Sequence, residues 1–515
     1  MIQQVDSSPT QSLADVCFIL EGTYPHVRGG VSTWVHQLIE GMPNIRFATF
    51  FIGADEISTS EYYYERPANH IHHEKIYLFD RLSDEEMEPA PLSQTLLNSF
   101  YTKLEHFYTE KDPHAQTEEF FEIIKLILET PELTFGNLCH DQQAWNLLEK
   151  IYYKYLANFS FLDYFWTVRF LHIPVWRLIR HCNRVPQAHV YHTISTGYAG
   201  LVGAILARQT KRPLILTEHG IYTKERILEI NRADWIYEPE RRFSDPGDQS
   251  QKLRELWIAM FRTFGIFAYR TSNYIYTLYE GNAKLQVEFG ASEKKIEVIP
   301  NGIHPERFDQ AIQNRRAIRT SSPNRKIAGF VGRVVPIKDI KMLLRAWGIV
   351  ITKLPSARLQ IYGPEEEDQD YYQDCNEIIK MLHLEESILF MGSSQIDRIM
   401  PEIDVMVLTS LSEGLPLVVL EAFAAEVPVV CTDVGACREL IFGRTAEDKA
   451  LGRAGMLNGT SMPQDTAESL TTILGDRKLQ DKMGAVGRQR VEKFYRQTDI
   501  LNQYHKVYTK DALQS

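Results

Sequence analysis

Residues 16–20 are continuously apolar, the chain turns polar at Glu21-Gly22, and after a loop holding Gly29-Gly30 apolar positions recur at helical spacing over residues 32–41. A short apolar run that ends in glycine and leads into an amphipathic helix predicts a βα unit whose strand is buried on both faces. The rhythm breaks over residues 57–186, which are rich in Glu, Tyr, Phe and Trp and return to helical spacing in 118–128 and 145–156. This stretch predicts a largely helical insertion. The βα alternation resumes with strands at 190–192, 214–217, 274–278 and 296–299 and helices at 197–208 and 282–289. The polar run 314–325 reads as a linker, and beyond it strands at 328–331, 358–362, 388–391 and 405–408 alternate with helices at 340–354, 371–382 and 395–402. Alternation of this kind predicts two α/β domains with parallel sheets, whose ligands bind where strand C-termini meet helix N-termini.

Length and composition agree with this division and narrow the chemistry. At about 150 residues per domain, 515 residues make two or three domains. Net charge is −11, from 56 Lys plus Arg against 67 Asp plus Glu, which disfavours a nucleic-acid-binding role built on phosphate neutralisation. The six cysteines (Cys17, Cys139, Cys182, Cys375, Cys431 and Cys437) form no C-x-x-C pair, so neither a disulfide framework nor a zinc site is expected. No basic segment precedes the first apolar run, as a signal peptide would require, and the longest nearly apolar run, 197–207, is short of the ~20 residues that cross a bilayer. A cytoplasmic protein that reaches a membrane only through partner proteins is expected.

The densest candidate chemistry is Ser412-Glu413-Gly414-Leu415-Pro416-Leu417-Val418-Val419-Leu420-Glu421, directly after the strand at 405–408. Pro416 suits the first turn of a helix, and the N–H groups around Leu415 to Val418 then become unpaired donors at the positive end of a helix dipole, an anion site. The same residues also fit an ordinary helix start flanked by solvated glutamates. Arg333 and Lys338 occupy a similar place after the strand at 328–331. Taken singly they read as surface charges; beside Glu413 and Glu421 they read as two cations converging on a diphosphate. His70-Ile71-His72-His73 lacks carboxylate or Cys partners at ligand spacing, so a metal site there is not expected.

The C-terminal half resembles the family 4 retaining glycosyltransferases of GT-B fold. The resemblance lies in Val298-Ile299-Pro300-Asn301-Gly302-Ile303, Gly332-Arg333 followed by Lys338, Ile361-Tyr362-Gly363-Pro364, and Glu413 with Glu421 eight residues on. In the N-terminal half, Glu21-Gly22-Thr23-Tyr24-Pro25, Gly29-Gly30-Val31-Ser32-Thr33-Trp34-Val35 and Thr217-Glu218-His219-Gly220-Ile221-Tyr222-Thr223-Lys224-Glu225-Arg226 resemble the PelF glycosyltransferases of Pel-type exopolysaccharide synthesis. The resemblance implies two Rossmann-like domains facing a cleft: residues 1–300 on the acceptor side, 301–485 holding a nucleotide sugar, and a C-terminal helix in 486–515 packing back on the first domain. It implies that Arg333 and Lys338 clamp a diphosphate and that Glu421 accepts ribose hydroxyls. Glu413 with the amides of Gly414 and Leu415 holds the donor sugar, Met391 contacts the base through its main chain, Gly29 and Gly30 let backbone approach the phosphate, and His219 contacts a sugar. The implied activity is metal-independent, retaining hexosyl transfer from a UDP-sugar to a growing saccharide, with membrane-bound partners of a polysaccharide synthase. A nucleotide-sugar epimerase and a weakly active UDP-binding scaffold subunit are the alternatives. The epimerase would need an acid–base pair near the sugar, and the scaffold would have no use for all four of Arg333, Lys338, Glu413 and Glu421.

Overall fold

The computed structural model describes residues 13–56, 61–80, 82–157, 159–233 and 249–512, which fall into two compact units. One comprises residues up to Thr277 together with Ala283–Glu297 and the chain from Tyr504; the other comprises Leu278–Asn282 and Val298–Gln503.

The first unit is built on a seven-stranded sheet of β1 (Ala14–Glu21), β2 (Phe47–Gly53), β3 (His70–Tyr77), β4 (Ala188–Thr193), β5 (Leu214–Glu218), β6 (Tyr274–Thr277) and β7 (Ile296–Val298), in the order β3-β2-β1-β4-β5-β6-β7. Strands β1 and β2 are parallel and almost wholly buried, as continuous apolar runs require when helices cover both faces of a sheet. Winding reverses between β1 and β4, so the crevice beyond their C-terminal ends is where a ligand is expected. The helix Tyr198–Thr210 is buried along nearly its whole length, because Gly and Ala let it lie close on the sheet. Tyr508 and Tyr504, on the helix Gln497–Ala512, reach the hydroxyl and imidazole groups of this unit: Tyr508 Oη lies 2.8 Å from His192 Nδ1, and Tyr504 Oη 3.4 Å from Thr217 Oγ1.

Residues 57–186 are largely helical, as expected, with one addition. They contain β3, an edge strand paired in parallel with β2, and β2 itself precedes them. Polar alternation hid β3: His70 and His73 point to Thr49, whose Oγ1 lies 2.8 and 2.7 Å from their ring nitrogens, and His73 lies 3.2 Å from His26. The histidines are therefore a hydrogen-bonded network, and among the described residues no group of three His, Cys, Asp or Glu is placed to hold a metal ion. The helical part runs through Gln94–Thr109, Pro113–Glu129, Gln142–Tyr155 and Phe161–His181, joined by Gln249–Thr271. Ser93, Asp112, Asp141 and Ser160 cap the first four, each side chain accepting a first-turn N–H.

The second unit has a six-stranded parallel sheet of β8 (Ile327–Val331), β9 (Arg358–Tyr362), β10 (Ile388–Gly392), β11 (Val405–Leu408), β12 (Val429–Thr432) and β13 (Gly455–Asn458), in the order β10-β9-β8-β11-β12-β13. The reversal falls between β8 and β11. The linker expected at 314–325 is a correction: Asp309–Ser321 is a helix that belongs to this unit. Its polar composition is misleading, because Ala311 and Ile312 are buried and the guanidinium of buried Arg319 donates to Asp481 at 2.6 Å. Arg490 is wholly buried against Asp448 at 2.5 Å and also donates to the carbonyls of Leu440 and Ile441. Removing one partner of such a pair costs about 3–5 kcal/mol.

Candidate functional site

In the second unit, the loops after β8 and β11 converge at the switch point. Leu411 N donates to Ile337 O at 2.8 Å and Thr409 Oγ1 to Lys338 O at 2.8 Å, so the two loops are stapled together. After a 3₁₀ turn over Pro336–Lys338 the chain passes through left-handed Asp339 (φ 45°), whose carboxylate then caps the helix Ile340–Lys353. That reversal turns Lys338 toward the second loop. Its ammonium donates to Glu413 Oε1 at 2.5 Å, and Ser410 Oγ donates to the same oxygen at 2.6 Å. Both members of the pair are largely enclosed, with side-chain exposures of 19% and 13%.

Two glycines make this geometry possible. A Cβ on Gly435, which has φ +55°, would lie 2.3 Å from the carbonyl oxygens of both Glu413 and Gly414. One on Gly363, at φ +148°, would lie 1.9 Å from Gly332 O. Only residues without a side chain allow these approaches.

The helix begins at Leu417, with Pro416 at its N-cap rather than inside its first turn, and no side chain caps it. Gly414 and buried Leu415 form the approach to that uncapped end, with Gly414 O accepting from Ala436 N at 2.8 Å. Glu421, the fifth residue of this helix, makes no hydrogen bond through its carboxylate among the described residues. Burial pushes its carboxyl up to about 7, with Arg307 pulling it down and Asp397 pushing it further up. Arg333 is more than half exposed and forms an ion pair with Glu367, so it is not drawn into the Lys338–Glu413 pair. Met391 sits on the edge strand β10, where the pairing with β9 skips from Phe390 to Gly392. That irregularity frees the Met391 main chain from the ladder.

The first unit has its own pocket at the β1/β4 switch point, a cavity of about 570 Å³. Glu21, at the end of β1, accepts from Tyr222 Oη at 2.5 Å and from Ala199 N at 3.3 Å, and burial raises its pKa despite these bonds. His219 lines the pocket and packs edge-on against Trp34 at 4.6 Å between ring centres. Beneath it, Glu218 is wholly buried and holds the loop by accepting from Tyr269 Oη at 2.7 Å and Gln286 Nε2 at 3.0 Å. Ser195 Oγ, Thr23 Oγ1 and Arg226 Nε are buried on the pocket wall with no hydrogen-bond partner among the described residues. Gly29 and Gly30 start the helix Gly30–Glu40 in the open, with no side-chain cap and nothing within 4 Å of a Cβ built on either.

The sequence set Lys338, Glu413 and His219 in loops after strand ends, but it paired Lys338 with Arg333 rather than with Glu413, and it gave no role to Ser410, Ser195 or Arg226. The signal for the two serines was position: each follows a switch-point strand, β11 or β4, by two residues. Arg226 closes the Thr217–Arg226 motif, on the helix Tyr222–Arg232.

Residues 14–294 match the family model described as a domain of unknown function (DUF3492), and residues 311–490 match the one described as glycosyl transferases group 1. The chain is 27% identical over 188 residues to N-acetyl-alpha-D-glucosaminyl L-malate synthase of Bacillus anthracis, covering 36% of this chain and 46% of that protein. It is 26% identical over 331 residues to the capsular polysaccharide biosynthesis glycosyltransferase CapM of Staphylococcus aureus, covering 61% and 74%. The chain spans less than half the length of the first curated relatives it matches. Among solved structures it superimposes on Anabaena HepE in complex with UDP with a TM-score of 0.58 at 15% identity, over 96% of this chain and 99% of that one. With more than half its length matched by the first model, the chain belongs to the DUF3492 family, in which it carries a region similar to the group 1 glycosyl transferases and has the GT-B fold.

Proposed function

We propose that the chain is a glycosyltransferase that moves a hexosyl group from a UDP-sugar to a saccharide, with retention of anomeric configuration and without a metal. The observation that carries this reading is the Lys338–Glu413 pair, set at the β8/β11 switch point beside the uncapped helix at Leu417. A departing diphosphate gains negative charge as the glycosidic bond breaks. An ammonium and a helix N-terminus aimed at that place stabilise the transition state more than the ground state. Arg333 joins them by exchanging Glu367 for phosphate, a small cost because an exposed ion pair is worth about 0–1 kcal/mol. Glu413, relieved of Lys338, accepts from donor-sugar hydroxyls, and Glu421 accepts from the ribose.

The pocket at the β1/β4 switch point fits the saccharide acceptor. A buried polar atom left unpaired costs about 1–3 kcal/mol, and the hydroxyls of a sugar ring supply partners for Ser195 Oγ, Thr23 Oγ1 and the Nε of Arg226, whose guanidinium also holds Glu229 at 2.7 Å, with His219 and Glu21 beside them. In this reading the front-face route has the leaving phosphate take the acceptor proton, so neither Glu413 nor Glu421 forms a covalent intermediate. The similarity to CapM and the resemblance to the PelF group favour a growing exopolysaccharide as acceptor, with membrane-bound synthase subunits as partners. Among the described residues no helix is long and apolar enough to cross a membrane, so such an association would run through those partners. The test is incubation with a panel of UDP-sugars, with and without EDTA and oligosaccharide acceptors. Release of UDP with a lengthened saccharide whose new linkage keeps the donor's anomeric configuration supports the reading; an epimerised UDP-sugar, or no turnover with any donor, refutes it.

A further inference from the structure

The helical part of the first unit encloses a second pocket of about 640 Å³, walled by residues such as Phe100, Leu104, Phe107, Ile151, Val168 and Trp176. Protein interiors are packed nearly as densely as organic crystals, and a space of this size falls in the range of small-molecule sites. The chemistry of its wall defines what it takes. The polar pair in it is already consumed. Nδ1 of His172 lies 2.5 Å from Val168 O, which only accepts, so Nδ1 carries the proton and Nε2 accepts from the Tyr108 hydroxyl. Burial holds His172 below its usual pKa, which keeps it neutral. With that pair satisfied, the interior favours a ligand body without polar groups.

The solvent side differs. Lys252 and Glu255 are exposed and Arg169 and Gln116 half-buried among the lining residues, the Gln116 amide donating to Phe107 O at 3.2 Å, and both cations are held over aromatic rings, Arg169 over Trp166 at 5.6 Å and Lys252 over Phe159 at 4.5 Å. Two cations against one carboxylate on the solvent side of an apolar chamber complement an anionic head on an apolar chain. We propose that this pocket binds a single-chain anionic amphiphile, an alkyl or polyisoprenyl phosphate or carboxylate, taken up as a monomer with its chain inside and its head at Arg169 and Lys252. The site lies apart from both switch-point sites and does not depend on the proposed transfer reaction.

The full chain is titrated with dansyl-undecanoic acid, and the bound probe is displaced with dodecyl phosphate or dodecyl trimethylammonium, each below its micelle concentration. Saturable one-to-one uptake is expected, with the phosphate displacing at least about tenfold better than the ammonium. Ala144→Phe places a ring in the chamber and should abolish uptake. Should that variant not fold, the combined Arg169→Glu and Lys252→Glu change should reverse the order of the two competitors. No saturable uptake by the wild type, equal displacement by both head groups, uptake unchanged by Ala144→Phe in a folded variant, or uptake only when vesicles are present would each overturn the proposal.

Discussion

Replacing Glu421 by Gln tests the donor site through both stability and binding. Burial holds this carboxyl at about 7, against 4.5 for its ordinary value, so from about pH 4.5 to 7 the folded protein keeps a proton that the unfolded chain has lost. Stability from this group is therefore complete below pH 4.5, falls as pH rises through 7 and is flat above it. At about 1.4 kcal/mol for each tenfold change in proton affinity, the ionised glutamate costs the second unit up to about 3 kcal/mol. Gln keeps the shape and cannot ionise. Glu421→Gln should match the wild type near pH 4.5 and exceed it at pH 8 by up to that amount, read as the difference in urea unfolding between the two proteins so that other titrating groups cancel. Binding should move the opposite way. A carboxylate accepts ribose hydroxyls more strongly than a neutral carboxyl or amide does, so UDP affinity of the wild type should gain on that of Glu421→Gln between pH 6 and 8. A variant less stable than the wild type at pH 8, or a stability difference that does not change with pH, would show that Glu421 is satisfied by the protein and not held ready for a ligand.

Lys338→Ala should lower turnover by on the order of 10²–10³ in steady-state assays while weakening UDP binding much less, because its charge matters most as the phosphate departs; equal loss in both would make Lys338 a binding residue only. Gly435→Ala should weaken UDP binding by more than about tenfold and lower stability by about 1 kcal/mol or more, measured by calorimetry and urea unfolding, since the added carbon meets two carbonyl oxygens at 2.3 Å on a left-handed backbone. His70 and His73 are pushed down by burial to about 4 and about 3, so the folded first unit stays neutral there while the unfolded chain takes up protons below about pH 6.5. Their contribution to stability is thus complete above pH 6.5 and is lost as pH falls toward 4, which unfolding measured at pH 7 and 5 should show as a drop. UDP affinity should be unchanged by EDTA; loss on chelation with recovery on adding magnesium would place a metal at the site.

What the chain declares in its own order is local. Apolar runs such as 16–20 and 405–408 become strands because their side chains have nowhere else to go, and the glycines and Pro416 beside them mark where strands end and helices begin. From this came the two parallel sheets and the place of Lys338, Glu413 and His219 after strand ends. Local pattern failed where polar groups satisfy one another out of sight. Strand β3 carries histidines that only Thr49 and His26 make buriable, and the helix Asp309–Ser321 carries arginines that only distant carboxylates such as Asp481 make buriable. The site divides the same way. Strand positions brought Lys338 and Glu413 within reach of each other, but the 2.5 Å contact depends on the left-handed turn at Asp339 and on Gly435 lying against the Glu413 carbonyl. The elevated carboxyl of Glu421, the turning of Arg333 to Glu367, and the unpaired hydroxyls of Ser195 and Thr23 are set by what surrounds each group in space. Charge, burial and hydrogen-bond partners at those positions come from residues tens to hundreds of positions away, and only the folded chain brings them together.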